Sequence, residues 1–328
     1  MKAAVYTRYG PPDIVQITEV EKPVPKDNEV LIKVRAASVN PYDWHFMRGT
    51  PYGVRIVAGL RKPKITKLGA DVAGQVETIG RNITQFKPGD QVFGICKGAF
   101  AEYACAPESA LVMKPDNVTL ELAACVPIAG FTALQGLRNK GRVQPGQNVL
   151  INGASGGVGT FAVQIAKSFG ADVTGVCSTR NIDMVRSIGA DRVVDYTRED
   201  FTKSGQRYDV FFDCIGQHSL SVCRRVLNPK GIYVGAGGPS DRWMIGPIAR
   251  LIKSLVLSAF GSKKLGGVLA KANKEDLTIL RELIQAGKVT PVIDRRYRLS
   301  EVPEAIRYLE EGHARGKVVV TVEDNNKT

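Results

Sequence analysis

The chain has 328 residues, of which 44% are hydrophobic and 23% are charged, and this composition excludes an intrinsically disordered or collagen-like protein. The length suggests about two domains, each able to bury its own core. Lysine and arginine outnumber aspartate and glutamate by 45 to 32, which indicates either anionic partners such as phosphate groups or a solvated basic surface.

The first 120 residues are predicted to be rich in β-structure. Short segments of β-branched residues, separated by glycine and proline turns, occupy 29–37, 70–80 and 87–94. We therefore expect a domain built mainly of strands in this part of the chain.

From about residue 120 the pattern changes to strands that alternate with helices. Helices are predicted at 158–169, 181–188, 274–287 and 302–312, and strands at 148–153, 171–177, 192–195, 208–214, 231–235 and 317–322. Alternating strands and helices indicate a parallel sheet covered on both faces, so the fold class is α/β with a doubly wound sheet.

A glycine-rich loop joins the first of these strands to its helix. Gly153, Gly156 and Gly159 recur at every third position, a variant of the usual G-x-G-x-x-G spacing. Glycines let the backbone approach a pyrophosphate, and the following helix points its amides and positive dipole end at that anion. A tight turn without a ligand is the alternative, but the strand and helix around the loop favour a dinucleotide. The residues expected to contact it are Ser155, Gly156, Gly157, Val158 and Gly159.

The end of the second strand favours NADPH over NADH. An NAD enzyme places a carboxylate about 20 residues after the loop to bind the ribose diol, whereas this chain has Ser178, Arg180 and Asn181. Arginine pairs with a 2′-phosphate through charge-assisted hydrogen bonds. The alternative is an exposed arginine at the start of a helix.

Together with other motifs, the loop resembles the medium-chain dehydrogenase/reductase superfamily over nearly the whole chain. These motifs are SVNPYD at 38–43, GADVAG at 69–74, KPGDQV at 87–92 and GFTA at 130–133. Within the superfamily the chain is similar to the zinc-independent quinone oxidoreductases. Arg180-Asn181 and GHARGK at 312–317 resemble the branch of the chloroplast-envelope quinone oxidoreductase and the reticulon-4-interacting protein.

The resemblance implies a GroES-like catalytic domain at 1–122 and 266–328 and a Rossmann NADP-binding domain at 123–265. It implies an active site in the cleft between them. The implied reaction is hydride transfer from a nicotinamide to a quinone or to the C=C bond of an α,β-unsaturated carbonyl. The family commonly forms homodimers through an edge strand, expected here at 255–260.

The resemblance also suggests cofactor contacts beyond the loop. Thr132 is expected near the nicotinamide end, and Arg315 and Lys317 near the phosphates. A helix-surface threonine and solvated charges are the alternatives. Gly235 follows a predicted strand and would let the cofactor pass close to the backbone.

Zinc ligands of the related alcohol dehydrogenases are replaced in this sequence. Where those enzymes carry Gly-His-Glu, this chain has Gly69-Ala70-Asp71, so the histidine is missing. The other ligand positions fall near Asn40 and near Ile128 or Ala129, which are poor zinc ligands or none. We therefore expect no metal.

Without a metal, reduction of a conjugated acceptor needs only hydrogen-bond donors for the developing oxygen charge. Asn40, Tyr42 and His45 are the candidate catalytic residues. His45 is the candidate general acid because its ordinary pKa lies near neutrality, although a solvent-facing histidine, or a proton taken from solvent, is the alternative. Asp43 is expected to orient its neighbours or cap a helix.

Location and partners follow from what the sequence lacks. No apolar run reaches the 18 residues of a membrane span, the segment 1–6 lacks a secretion signal, and the six cysteines form no Cys-x-x-Cys pair. We expect a cytoplasmic protein with reduced thiols, and Cys96 and Cys125 are interpreted as buried structural cysteines.

A basic apolar segment at 245–257 bears on the choice among functions. It is interpreted as a helix over the active-site mouth rather than as an interfacial membrane helix.

The leading hypothesis is an NADPH-dependent quinone or enone reductase that does not bind nucleic acid. The alternatives are an NADPH-binding RNA- or membrane-associated protein with incidental activity, and a zinc-free alcohol dehydrogenase.

Overall fold

A computed structural model describes residues 1–238 and 263–322, which form two compact units. The first unit comprises Met1–Ile128, Ala272–Ala286 and the residues from Pro291 onward, and the second comprises Ala129–Lys271 and Gly287–Thr290. These bounds differ from the predicted domains at their edges. One reason is that the strand Lys264–Gly267 pairs within the second unit, so residues 266–271 belong there.

Strands and helices are numbered along the described residues. The strands are β1 (Lys2–Val5), β2 (Gln16–Glu19), β3 (Glu29–Val39), β4 (Asp71–Ile79), β5 (Gln91–Ile95), β6 (Tyr103–Pro107), β7 (Leu111–Met113), β8 (Asn148–Asn152), β9 (Asp172–Cys177), β10 (Arg192–Asp195), β11 (Tyr208–Asp213), β12 (Leu227–Gly235), β13 (Lys264–Gly267), β14 (Ile293–Arg298) and β15 (Lys317–Thr321). The helices are α1 (Pro41–Arg48), α2 (Val54–Ala58), α3 (Leu120–Ala124), α4 (Pro127–Gln135), α5 (Gly157–Ser168), α6 (Ile182–Ser187), α7 (Leu220–Arg225), α8 (Lys274–Gln285) and α9 (Val302–Glu310).

The first unit is β-rich, as the sequence predicts. Its large sheet has the order β14-β15-β3-β4-β5-β7, β6 pairs with β3, and a separate pair is formed by β1 and β2. Strand β3 is buried along most of its length because its aliphatic side chains supply one wall of the core. The core includes Val30, Ile32, Val34, Val72, Val92, Val318 and Val320.

The last described strand lies inside this sheet. β15 runs parallel to β14 and antiparallel to β3, with Val318 opposite Val39. This register brings Lys317 to the level of Asn40, the residue between β3 and α1. Residues far apart in sequence therefore meet where the first helix begins.

The second unit is a Rossmann fold. Its six strands are parallel and have the order β10-β9-β8-β11-β12-β13. The strand order reverses between β8 and β11, and open α/β sheets bind ligands at the carboxyl ends of the strands at such a point. The predicted α/β fold class is thus confirmed.

Among the described residues, no helix combines the length and the apolar character needed to cross a bilayer. The basic apolar segment at 245–257 and the expected edge strand at 255–260 lie outside the described residues. The homodimer therefore stays a prediction.

Candidate functional site

The glycine-rich loop connects β8 to α5 in the second unit. Gly153 has a φ of +81°, in the left-handed region that favours glycine. The backbone amides of Gly153 and Ala154 donate to the carbonyl oxygen of Val176 at 3.2 and 3.0 Å. These bonds hold the turn against the end of β9.

Two glycines of the loop differ in the space beside them. A Cβ atom on Gly159 would lie 2.0 Å from the carbonyl oxygen of Gly153, whereas one on Gly156 would lie at an ordinary 3.5 Å from the same oxygen. Gly159 is therefore required by packing, and Gly156 leaves the backbone open to a ligand. Because α5 begins at Gly157, its first amides have no partner within the helix and are available to an anion. This cradle fits a pyrophosphate.

Asn181 connects three of the predicted cofactor residues. Its amide nitrogen donates to Ser155 Oγ at 3.0 Å and to Ser178 Oγ at 3.1 Å. Its side chain is buried, and Oδ1 has no hydrogen-bond partner among the described residues. A buried acceptor without a partner is costly, so this atom fits a hydroxyl donor of a bound dinucleotide. Arg180, beside it, is exposed.

A carboxylate that the sequence reasoning missed lies at the end of the neighbouring strand. Asp195 pairs with Cys177 across β10 and β9 and accepts hydrogen bonds from the hydroxyls of Thr179 and Thr197. The Thr179 bond is the main cause that lowers the pKa of Asp195. The carboxylate is thus engaged by protein hydroxyls. Only the strand pairing brings it near β9, so a local motif could not reveal it.

Asp213, at the end of β11, was also missed. One oxygen accepts from Asn152 Nδ2 at 3.0 Å and from the backbone amide of Gly216 at 2.9 Å, and the other accepts from the Tyr233 hydroxyl at 3.0 Å. The carboxylate joins β8, β11 and β12 at their carboxyl ends. Gly235 ends β12 opposite Asp213, and Thr132 lies half-buried in α4.

A buried polar network occupies the first unit where β3 meets β15. Asp71 Oδ2 accepts from Ser38 Oγ at 2.7 Å and from Asn40 Nδ2 at 2.8 Å, and Asp71 Oδ1 accepts from the amide of Ile128 at 3.0 Å. Lys317 Nζ donates to Asn40 Oδ1 at 2.6 Å and lies 3.5 Å from Asp71 Oδ2. The network therefore contains a buried anion, its counter-cation and an amide that bridges them.

These contacts change the interpretation of two predicted residues. The second hydrogen of the Asn40 amide is directed at the carbonyl oxygen of Ser38, 3.1 Å away, so both hydrogens are engaged within the protein. Lys317 is 3% exposed. The predictions that Asn40 donates to the acceptor and that Lys317 binds cofactor phosphates have no support in these contacts. Arg315 is exposed, and its backbone amide donates to Asp294 at 2.9 Å.

Asp43 stabilises the start of α1, as the helix-cap interpretation expects. One carboxyl oxygen accepts from the backbone amide of Asn40 at 2.8 Å, and the other accepts from the amide of Gly69 at 3.1 Å. Burial, followed by the nearby charge of Asp71, raises the pKa of Asp43 to about 7. Its proton can therefore exchange near neutral pH.

Tyr42 and His45 lie on the same helix. Tyr42 is 41% exposed, and its ring centroid is 4.2 Å from that of Phe46. His45 Nδ1 lies 2.7 Å from the carbonyl oxygen of Thr50, so Nδ1 carries the hydrogen. Burial lowers the pKa of His45, which favours the neutral ring and weakens it as a general acid.

The cysteines near the network are buried, as predicted. Burial raises the pKa of Cys96 and raises that of Cys125 to about 12, and the Cys125 thiol donates to the carbonyl oxygen of Glu121 at 3.2 Å. Within 1–238 and 263–322, no cluster of three histidine, cysteine or acidic side chains could hold a metal ion. The donor set at Asn40, Asp71 and Ile128 does not fit zinc.

Family models match both parts of the chain. Residues 26–116 match the model described as alcohol dehydrogenase GroES-like domain, and residues 188–320 match the one described as zinc-binding dehydrogenase. Among solved structures, the quinone oxidoreductase from Coxiella burnetii matches with a TM-score of 0.85 and 30% identity, over 98% of this chain and 99% of that one.

Curated relatives cover almost the whole chain. It is 35% identical to the chloroplast envelope quinone oxidoreductase homolog of Arabidopsis thaliana, over 98% of both chains. It is 35% identical to the mitochondrial NAD(P)H oxidoreductase RTN4IP1 of Mus musculus, over 98% of this chain and 89% of that protein. It is 33% identical to the 2-methylene-furan-3-one reductase of Solanum lycopersicum, over 98% of this chain and 79% of that protein.

The same relatives overturn one prediction. The cytoplasmic location inferred from the sequence is wrong by this comparison, because the names of the Arabidopsis and mouse relatives assign them to the chloroplast envelope and the mitochondrion. A secretion signal directs export, so the argument from residues 1–6 could not distinguish the cytoplasm from an organelle.

Proposed function

The chain belongs to the medium-chain dehydrogenase/reductase superfamily and to its quinone oxidoreductases, and from this premise we propose that it uses NADPH to reduce a quinone or an α,β-unsaturated carbonyl without a metal ion. It is an oxidoreductase with a nicotinamide cofactor and a small-molecule substrate. The relatives named for quinone and for enone reduction support both acceptor classes, and their locations support an organelle.

The observation that carries the proposal is the contact between Lys317 and Asn40. Asn40 and Asp71 lie at or beside the positions of metal ligands in the related zinc enzymes. In this chain the ammonium of Lys317 supplies the positive charge. A buried carboxylate needs a counter-charge. Because Lys317 supplies it, we propose that the network needs no zinc.

NADPH is proposed on the basis of the end of β9. Ser178 and Arg180 lie close to Asn181 in sequence. Asn181 donates a hydrogen bond to Ser155, which belongs to the glycine-rich loop. The carboxylate of Asp195, at the end of β10, is engaged by threonine hydroxyls. An exposed guanidinium is therefore the natural partner of a 2′-phosphate.

The bound nicotinamide supplies a hydride to an electron-poor carbon of the acceptor. The negative charge that then develops on the acceptor oxygen requires hydrogen-bond donors. Tyr42, exposed on α1, is one candidate. His45 favours its neutral form, so we propose that the final proton comes from solvent rather than from this ring.

The test follows NADPH absorbance with a quinone, an enone and an aldehyde, before and after dialysis against a chelator. We expect oxidation with the quinone or the enone that survives chelation, and little with the aldehyde. If neither conjugated acceptor is reduced, the proposed reaction is wrong; if chelation abolishes activity and zinc restores it, the metal-free mechanism is wrong.

A further inference from the structure

A small cavity lies in the first unit, at the residue that follows β1. It has a volume of about 20 Å³, which is room for one water-sized atom. Its walls come from α1, the end of β1 and the segments before β4 and after β5. They include Tyr6, Tyr42, Asp43, Phe46, Leu68 and Cys96.

Tyr6 lines this cavity, and its hydroxyl is the group that the protein contacts leave unexplained. Tyr6 is 1% exposed and its ring belongs to the hydrophobic core, yet its hydroxyl oxygen is buried with no hydrogen-bond partner among the described residues. Asp43, in the same wall, has both oxygens bonded to backbone amides. A buried hydroxyl without a partner costs about 1–3 kcal/mol, a penalty that phenylalanine would avoid. The position therefore suits a residue whose partner arrives with a ligand.

The surroundings determine what kind of atom can be that partner. Burial raises the pKa of Tyr6, with smaller contributions from Tyr9, Tyr42 and Asp43, so the phenol keeps its proton and can donate. The lining also includes the aromatic residues Tyr42 and Phe46, the aliphatic Leu68 and two lysines, Lys67 and Lys97. Such a site accepts a single oxygen at the edge of a flat apolar molecule.

We infer that the Tyr6 hydroxyl is the hydrogen-bond donor for the carbonyl or quinone oxygen of the acceptor, and that this oxygen occupies the cavity. The inference rests on the proposed function and assigns the oxygen-binding group that it leaves open. When the hydride adds to the acceptor carbon, an electron pair moves to this oxygen, and the O–H of Tyr6 donates to the resulting anion. No proton leaves Tyr6; the proton that completes the product comes from solvent.

The experiment compares the protein with Tyr6→Phe, which removes the hydroxyl and keeps the ring. We expect kcat with the quinone and the enone to fall about 100-fold, as when one oxyanion donor is removed. Affinity for NADP⁺ and the melting temperature should not fall, because the hydroxyl has no protein partner to lose. Tyr103→Phe is the control, since Tyr103 lies on β6 beneath Lys22, outside the walls of the cavity.

A binding measurement separates this inference from the reductase activity itself. Cyclohexanone and methylenecyclohexane, which carries CH₂ in place of the oxygen, are titrated into the NADP⁺ complex, where no hydride is available. Tyr6→Phe should weaken cyclohexanone binding about five- to tenfold and leave methylenecyclohexane unchanged. If Tyr6→Phe binds the ketone more weakly but the parent protein reduces no acceptor, the Tyr6 assignment is sustained and the proposed reaction is refuted. If the parent enzyme is active and Tyr6→Phe changes neither kcat nor ketone affinity, the assignment is refuted. The hydroxyl would then bond only to water.

Discussion

Lys317 Nζ lies 2.6 Å from Asn40 Oδ1, although 277 positions separate the two residues in the chain. The contact connects the strand β15 to the cap of the helix α1, and Asp71 balances the charge from the other side. A buried ion pair of this kind contributes little net stability, but removing only one of its two partners is strongly destabilising.

Lys317→Met should therefore destabilise the protein. Methionine fills a similar volume and leaves Asp71 without its counter-charge, so we expect a loss of about 3–5 kcal/mol in the free energy of unfolding, measured by denaturant titration. Adding Asp71→Asn should restore part of that loss because it removes the stranded anion. Additive losses in the double variant would show that the two groups do not interact.

Arg180→Ala should discriminate between the two cofactors. Loss of a charge-assisted bond to the 2′-phosphate should weaken NADPH about 10- to 100-fold and leave NADH nearly unchanged, as measured by fluorescence titration. Arg192→Ala is the matched control, because Arg192 begins β10 and so lies at the amino ends of the parallel strands, whereas Arg180 follows the carboxyl end of β9. Equal losses for both cofactors would remove the phosphate argument.

Alanine at two loop glycines should separate ligand binding from folding. Gly156→Ala adds a methyl group at an ordinary contact distance of 3.5 Å from the carbonyl oxygen of Gly153, so stability should hold while the dinucleotide affinity falls at least about tenfold. Gly159→Ala forces a methyl group against the carbonyl oxygen of Gly153 and should lower the melting temperature. Calorimetry with and without cofactor measures both effects. A stable Gly159→Ala protein with normal cofactor affinity would contradict the packing role.

Asp43 should make stability depend on pH. Its folded pKa of about 7 lies above the ordinary value of 3.8, so between these values the folded state holds a proton that the unfolded state has lost. The contribution of this group is complete below pH 3.8, is lost as the pH rises towards 7, and amounts to at most about 4 kcal/mol.

Asp43→Asn, which has no titrating proton, provides the reference for this profile. The free energy of unfolding of Asp43→Asn minus that of the parent should rise from pH 4 to pH 7 and stay level above pH 7. The lost hydrogen-bond acceptor shifts this difference by the same amount at every pH. A parallel pair of profiles for parent and Asp43→Asn would contradict the assignment.

Local signals account for what the sequence predicted correctly. The spacing of Gly153, Gly156 and Gly159 between a strand and a helix is a contiguous pattern, and it led directly to the Rossmann unit. The change from short strands to alternating elements near residue 120 likewise lies within one window of sequence. Such patterns reflect backbone geometry that each segment adopts by itself.

The buried contacts could not be predicted in this way. Lys317 looks like a surface base in sequence, and only the register of β15 on β3 buries it against Asn40. Strand pairing brings Asp195 to Thr179 and Asp213 to Asn152. The neutral preference of His45 follows from its burial. The orphan hydroxyl of Tyr6 depends on the packing of four separate segments. In each case the information lies in contacts between distant positions, which one sequence does not display.

The placement of β15 inside the first sheet has a consequence for synthesis on the ribosome. The residues of the second unit lie between parts of the first in sequence, and all of them are synthesised before β14 and β15. The Rossmann sheet can therefore form while translation continues. The first sheet must wait for its missing inner strand, so one side of β3 stays unpaired until β15 is made.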